Sequence, residues 1–256
     1  MSPEAGSEVR GVGTRGAVVG GYVTDIDRAS AVDGPGNRYV LFLQGCQFDC
    51  LVCHNSCTIP PPPRWMVPTS VDETLADIRS VEPFLSGITV TGGEATLQAP
   101  FVHALFTGLR ADPVIRGLTA FVDTNGDAEA EVWELLAPVT DGVMVDLKAL
   151  DDEMHVVLTG TSNTRVLASI TSLAARGLLY EVRLLLVPGL NDSDEVLDRT
   201  ASWLLGVDPD LRVRINAFRR DGVRPCARDL LEPRAEDLDR YRSVLSAAGI
   251  RQLTTY

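Results

Sequence analysis

The chain has 256 residues, 45% hydrophobic and 23% charged, which suits one large α/β domain and excludes a disordered or fibrous protein. A formal net charge of −12, with no Lys/Arg-rich run or aromatic platform to offset it, excludes nucleic acid as a partner. The longest apolar stretches, such as Tyr180 to Leu190, carry Glu181 and Arg183 and are too short for a membrane span, and the N-terminus lacks a secretory pattern.

A cytoplasmic protein without a membrane partner is therefore expected, and a monomer. The first fifteen residues, rich in Gly, Ser and charge, read as a mobile tail, leaving 16–256 as a single domain. From Tyr39 onward, β-rich apolar runs alternate with helical periodicity. Strands are predicted at Tyr39 to Leu43, Gly87 to Thr91, Leu118 to Val122, Gly142 to Asp146, Glu181 to Val187 and Leu211 to Ile215. Ser70 with Glu73 predicts a capping box opening a helix, and Arg176-Gly177 closes another that begins near Ser162. Pro60 to Pro63 reads as a stiff spacer. Regular alternation of strand and helix predicts right-handed crossovers and a partial (β/α)6 TIM-like barrel of parallel strands.

In such a fold chemistry gathers where the strands end, because loops and helix N-termini converge there. Cys46 follows the first predicted strand, Gly92-Gly93-Glu94 the second, Asp123-Thr124-Asn125-Gly126 the third, Asp146-Leu147-Lys148 the fourth and Pro188-Gly189 the fifth. Five cysteines, four of them between Cys46 and Cys57, suit metal ligation better than a disulfide framework. Cys46, Cys50 and Cys53 form a CxxxCxxC loop. Three thiolates from one loop can each take one iron of a 4Fe-4S cluster and leave the fourth iron open. Structural zinc is the alternative, with His54 or Cys57 completing the set, in a zinc-binding or electron-transfer module.

Two adjacent strand-end carboxylates, Asp123 and Asp146, repel unless a cation or proton lies between them, or each caps the helix that follows. Gly92 and Gly93 give a turn where backbone can approach a ligand closely, or a plain strand-to-helix turn. His155 and His103 read as structural, and Cys57 and Cys226 as unligated thiols.

The cysteine spacing resembles the signature of the radical S-adenosylmethionine (SAM) superfamily. Val32 to Arg38, Gln44-Gly45-Cys46 and Cys53-His54-Asn55, followed in order by the strand-end sets, His155 with Leu158-Thr159-Gly160, and Arg183 with Val187-Pro188-Gly189, are similar to the activating enzymes of glycyl radical enzymes. The resemblance implies a 4Fe-4S cluster on Cys46, Cys50 and Cys53, and reductive cleavage of SAM to a 5′-deoxyadenosyl radical that takes hydrogen from a glycine of a partner enzyme. It implies cofactor contacts from Gly92, Gly93, Glu94, Asp123, Asn125, Asp146, Lys148 and Arg183, with a monovalent cation at Asp123 and Asp146. Asp33 and Arg38 would meet the protein substrate. One cluster and an external donor, a flavodoxin or ferredoxin, are implied because no ferredoxin-like insert follows the loop. Three departures stand out: Val52 where an aromatic residue often precedes the third cysteine, the extra Cys57, and Arg219 in a region where such activases carry a histidine-bearing loop. They keep open a radical SAM enzyme that modifies a small molecule or peptide.

Overall fold

The computed structural model describes residues 19–256, so the expected tail over 1–15 lies outside the described residues. Eight strands form one sheet: β1 (Val23–Ser30), β2 (Arg38–Leu43), β3 (Gly87–Gly92), β4 (Thr119–Thr124), β5 (Gly142–Leu147), β6 (Leu179–Leu186), β7 (Arg212–Ala217) and β8 (Gln252–Thr255). They lie side by side in chain order, parallel throughout except for the antiparallel pair β1 and β2. Strands β1 and β8 are the free edges, so the barrel is partial.

All six expected strands are present within a few residues of their expected ends. The two additional strands lie at the edges. β1 reads Val-Thr-Asp-Ile-Asp-Arg-Ala-Ser and is mostly exposed, and β8 has four residues. Neither carries the apolar run that marks a strand buried on both faces.

Helices α1 (Val71–Val81), α2 (Ala99–Ala111), α3 (Ala130–Leu136), α4 (Asp152–Thr159), α5 (Thr164–Ala175), α6 (Asp194–Val207) and α7 (Ala235–Ala247) occupy the crossovers. Helix α1 starts where the capping box demands: Ser70 Oγ accepts the Glu73 N–H and Glu73 Oε2 accepts the Ser70 N–H at 2.9 Å. Helix α5 begins at Thr164, two residues beyond the expected start, because Asn163 spends its side chain on the carbonyls of Ala149 and Leu150.

Alternation along the strands sorts the barrel into two environments. Ile88, Val90, Val122, Val145, Val182, Val213 and Ile215 are almost completely buried in one hydrophobic cluster with helix residues such as Phe106, Ile170 and Leu204. At about 1.5–3 kcal/mol for each fully buried large aliphatic side chain, this outer layer carries the stability. Intervening positions point the other way and include polar residues, Thr89, Thr91, Asp123, Asp146, Glu181 and Arg183, beside Phe42, Phe121 and Met144.

Candidate active site

The strand ends and the loop after β2 enclose a cavity of about 410 Å³, in the range of roughly 300–1,000 Å³ usual for small-molecule sites. Cys46, Cys50, Cys53, Gly92, Gly93, Asp123, Thr124, Asn125, Asp146, Lys148 and Asp33 line it. Val52, His54, Asn216, Arg219 and Tyr256 complete much of the remaining wall.

The cysteine loop is fastened on every side. Gly45 N–H and Cys46 N–H donate to Thr58 O and Ile59 O, at 2.8 and 3.0 Å, while Asp49 and Leu51 N–H donate to Thr159 and Leu158 O at the end of α4. Phe48 is buried edge-on to the His155 ring, with centroids 5.5 Å apart. His155 itself hydrogen-bonds Thr161 O through Nδ1, the structural role expected for it. Gln47 Nε2 reaches across to Asn125 Oδ1 and Asp127 O, and Asn125 Nδ2 lies 3.6 Å from Cys46 Sγ. From the far side Arg224 clamps the loop, donating to the Asp49 carboxylate at 2.5 Å and to the carbonyls of Asp49 and Cys50.

Burial raises all three thiols, Cys46 to about 12 and Cys50 to about 11, with Cys53 shifted the same way. Nearby Lys148 partly opposes burial at Cys50 and Cys53. Metal is thus the group that would draw these protons off. Among the described residues no three His, Cys, Asp or Glu side chains converge tightly enough for a single ion. Three thiols spread along one pocket wall suit a polynuclear cluster, whose corners are ligated separately, better than one zinc. Of the two further zinc ligands the sequence offers, Cys57 is exposed and off the cavity wall, and His54 reaches the wall with its Nε2 2.9 Å from Arg219 O.

Gly92 and Gly93 join the cysteine loop to β3. Gly92 has φ +116°, and a Cβ there would stand 2.0 Å from Leu43 N; at Gly93 it would stand 2.2 Å from Gly45 O. Only glycine lets this turn lie against the start of the loop, where Gly93 and Glu94 N–H donate to Leu43 and Gly45 O, each at 2.8 Å. Both glycines also face the cavity.

Three residues expected at the ligand lie elsewhere. Glu94 is 1% exposed and fully engaged: Oε1 accepts from Thr96 N, Thr96 Oγ1 and Thr124 Oγ1, and Oε2 from Asn125 N. It ties the β3 turn to the β4 turn beneath the cavity. Arg183 is buried between Asp123 and Glu181, 3.0 Å from each carboxylate, and does not line the cavity. Arg38 is 0% exposed at the start of β2; it donates to Thr89 and Thr119 and packs over the Phe121 ring at 4.6 Å. Arg38 is thus held by its own partners and does not line the cavity.

Asp123 and Asp146 do come together at the mouth. Burial and the neighbouring Asp146 and Asp33 raise the Asp123 carboxyl, against the pull of Arg183. Lys148 stands 2.6 Å from Asp146, and although burial disfavours its charge, Asp146 and the thiols more than restore it. Arg183 lies 3.0 Å from the Asp123 carboxylate and Lys148 2.6 Å from that of Asp146, so each carboxylate has one basic neighbour. Asn216, Arg224 and Tyr256 are contributions the sequence does not flag, since each lies outside the strand-end motifs. Pro188-Gly189 closes its strand without reaching the cavity wall.

Residues 40–201 match the Radical SAM superfamily. The pyruvate formate-lyase-activating enzyme of Staphylococcus epidermidis is 33% identical over 215 residues, covering 79% of this chain and 83% of that one. A domain of the pyruvate-formate lyase-activating enzyme from Bacteroides vulgatus superposes with a TM-score of 0.54 at 21% identity, covering 67% of this chain and 99% of that one. A radical SAM methyltransferase from Sphaerobacter thermophilus reaches a TM-score of 0.66 at 19% identity, covering 86% of this chain and 66% of that one. This chain belongs to the radical SAM superfamily, the class of enzymes that works with a 4Fe-4S cluster and SAM. Within that class it is an enzyme of the glycyl-radical activase type.

Proposed function

We propose that this enzyme abstracts hydrogen from a glycine of a partner glycyl radical enzyme, with Cys46, Cys50 and Cys53 holding the cluster and the adjoining wall holding SAM. The observation that carries the reading is that the three thiols share one cavity with Gly92, Gly93, Asp123, Asn125, Asp146 and Lys148, in a chain 33% identical to an activating enzyme. When bound, the cluster and SAM supply one electron and a carbon-sulfur bond whose cleavage leaves the abstracting radical.

The chain's own residues bind, orient and shield. Lys148 offers a cation for the SAM carboxylate, and the turn at Gly92 and Gly93 lets main chain approach the amino acid end. Asn125, fixed through Oδ1 by Gln47 and the Asp127 N–H, directs its Nδ2 at Cys46 and steadies the thiolate there. Asp33 enters the cavity on the loop before β2, with its carbonyl held by Thr89 Oγ1 at 2.7 Å, and it faces the incoming segment. Residues 16–256 act as one catalytic domain, in keeping with a single sheet from β1 to β8. Two cysteines remain after the cluster, too few for a second one, so an external flavodoxin or ferredoxin delivers the electron.

A second reading, modification of a small acidic molecule, draws support from Arg219, an exposed cation on the cavity wall. One experiment separates the two. The reconstituted enzyme is reduced with SAM and a glycine peptide deuterated at the α-carbon. Deuterium in 5′-deoxyadenosine, with a glycyl radical by electron paramagnetic resonance, supports the activase; 5′-deoxyadenosine free of deuterium refutes it.

A further inference from the structure

Lys148 and Arg219 both bring a positive charge to the cavity wall, and only one of them is spoken for. Lys148 pairs with Asp146, whereas Arg219 is exposed and has no carboxylate partner among the described residues. Two other arginines of the same segment do have one, Arg220 in Glu232 and Arg224 in Asp49.

Arg219 is nevertheless held in place. Its carbonyl lies 2.9 Å from His54 Nε2, which ties its main chain to the end of the cysteine loop. Its guanidinium carbon stands 5.7 Å from the centroid of the Tyr256 ring, another residue of the cavity wall. Tyr256 extends the edge strand β8 along β7, its N–H donating to Ile215 O at 2.9 Å and its carbonyl accepting from Ala217 N at 3.2 Å. Arg214 packs over the same ring at 4.5 Å and donates from Nη1 to Val32 O at 2.7 Å, next to Asp33. The ring stays 54% exposed, so Arg219 and Tyr256 offer an open plate with a charged rim beside the cofactor wall.

The charge of that rim indicates what it receives. The other ionised groups of the wall are Asp33, Asp123 and Asp146, in a chain of net charge −12, so an unpaired guanidinium here is a local exception. Its planar fork of donors matches a carboxylate, and stacking on an aromatic ring fixes the plane of the fork.

We propose that Arg219, stacked on Tyr256, is a specificity-determining residue that binds a carboxylate on a residue beside the reacting glycine. The partner's glycyl segment then carries an aspartate or glutamate at that position. This rests on the activase reading above and gives its substrate a chemical class, an acidic glycine peptide.

The test uses reconstituted wild-type enzyme, R219Q and R219E, with N-acetyl-triglycine amide deuterated at the α-carbon of its central glycine as the parent probe. Asp, Asn or Lys replaces the residue before or after that glycine, and succinate deuterated on its methylene carbons supplies the same carboxylate free. Probe affinity, SAM affinity and deuterium transfer to 5′-deoxyadenosine are measured at two salt concentrations. In the wild type, Asp at one of the two positions should bind about fivefold more tightly than Asn, as one solvent-accessible ion pair allows. The preference should shrink as salt rises. R219Q should bind Asp and Asn probes alike, and R219E should prefer Lys to Asp at the same position, a reversal that a merely structural arginine would not produce.

Equal binding of Asp and Asn probes by the wild type at both positions overturns the proposal without calling on any variant. An Asp preference that survives in R219Q overturns it too. Loss of SAM affinity in R219Q, with the Asp-to-Asn ratio unchanged, assigns the guanidinium to the SAM carboxylate instead. Deuterium taken from the peptides without regard to charge sinks this inference and leaves the activase reading standing. A wild type that cleaves SAM and takes deuterium from succinate, or from no peptide, sinks both.

Discussion

The Lys148 ammonium lies 2.6 Å from the Asp146 carboxylate, two residues apart at the end of β5, and both face the cavity that holds the three cluster-loop thiols. The pair is partly buried, so each partner sets the charge the other presents to a ligand.

Replacing Lys148 with Met should weaken SAM binding about thirtyfold, equivalent to about 2 kcal/mol for one charge-assisted hydrogen bond. Adding D146N should recover part of the loss, because the single variant also leaves a carboxylate without its partner. Equilibrium SAM binding to the four combinations of these two sites checks both statements.

Arg224 holds the cysteine loop through Asp49 and the Cys50 carbonyl. R224A should release iron to a chelator several-fold faster while leaving far-ultraviolet circular dichroism unchanged. R224K should rescue it poorly, since one ammonium cannot reproduce a guanidinium's several directed donors. Chelator-chase kinetics followed by cluster absorbance provide the measurement.

At Gly93 an added Cβ meets the Gly45 carbonyl at 2.2 Å, and backbone cannot step aside as a flexible side chain would. G93A should cost about 1–3 kcal/mol and lower iron loading, since Gly45 begins the cysteine loop. Denaturant unfolding and iron analysis of the reconstituted variant report the two effects.

Far from the cavity, Asp77 on α1 accepts the Tyr39 hydroxyl at 2.6 Å and pairs with Arg28 at 3.0 Å. Burial favours its neutral form, but these partners win and hold its pKa below the usual carboxylate value. A depressed carboxyl contributes stability above its unfolded pKa of about 4 and loses it as pH falls through the folded value. The D77N variant should therefore be less stable than wild type at pH 7, with the difference shrinking below about pH 4. Melting temperatures of both proteins across that window decide it.

Much of the site is written in short motifs. The CxxxCxxC spacing, the two glycines after β3 and the carboxylates ending β4 and β5 are local, and parallel strands bring them to one mouth without further instruction. The resemblance carries Glu94, Arg183 and Arg38 to the ligands, whereas here each side chain is paired inside the barrel. Their partners come from other strands, and no local pattern announces such pairings. Arg224 is hidden for a related reason, since it acts across 174 residues of chain. The edge strands escape notice because they are short or exposed, and sheet pairing rather than composition makes them strands.

The most direct test of the account is anaerobic reconstitution followed by reduction in the presence of SAM, for the wild type and for C46A, C50A and C53A. The account predicts about four irons per chain and equal amounts of methionine and 5′-deoxyadenosine from the wild type, with neither product from the folded cysteine variants. A wild type loaded with its cluster that yields no 5′-deoxyadenosine, or a cysteine variant that still forms it, would contradict the assignment of Cys46, Cys50 and Cys53.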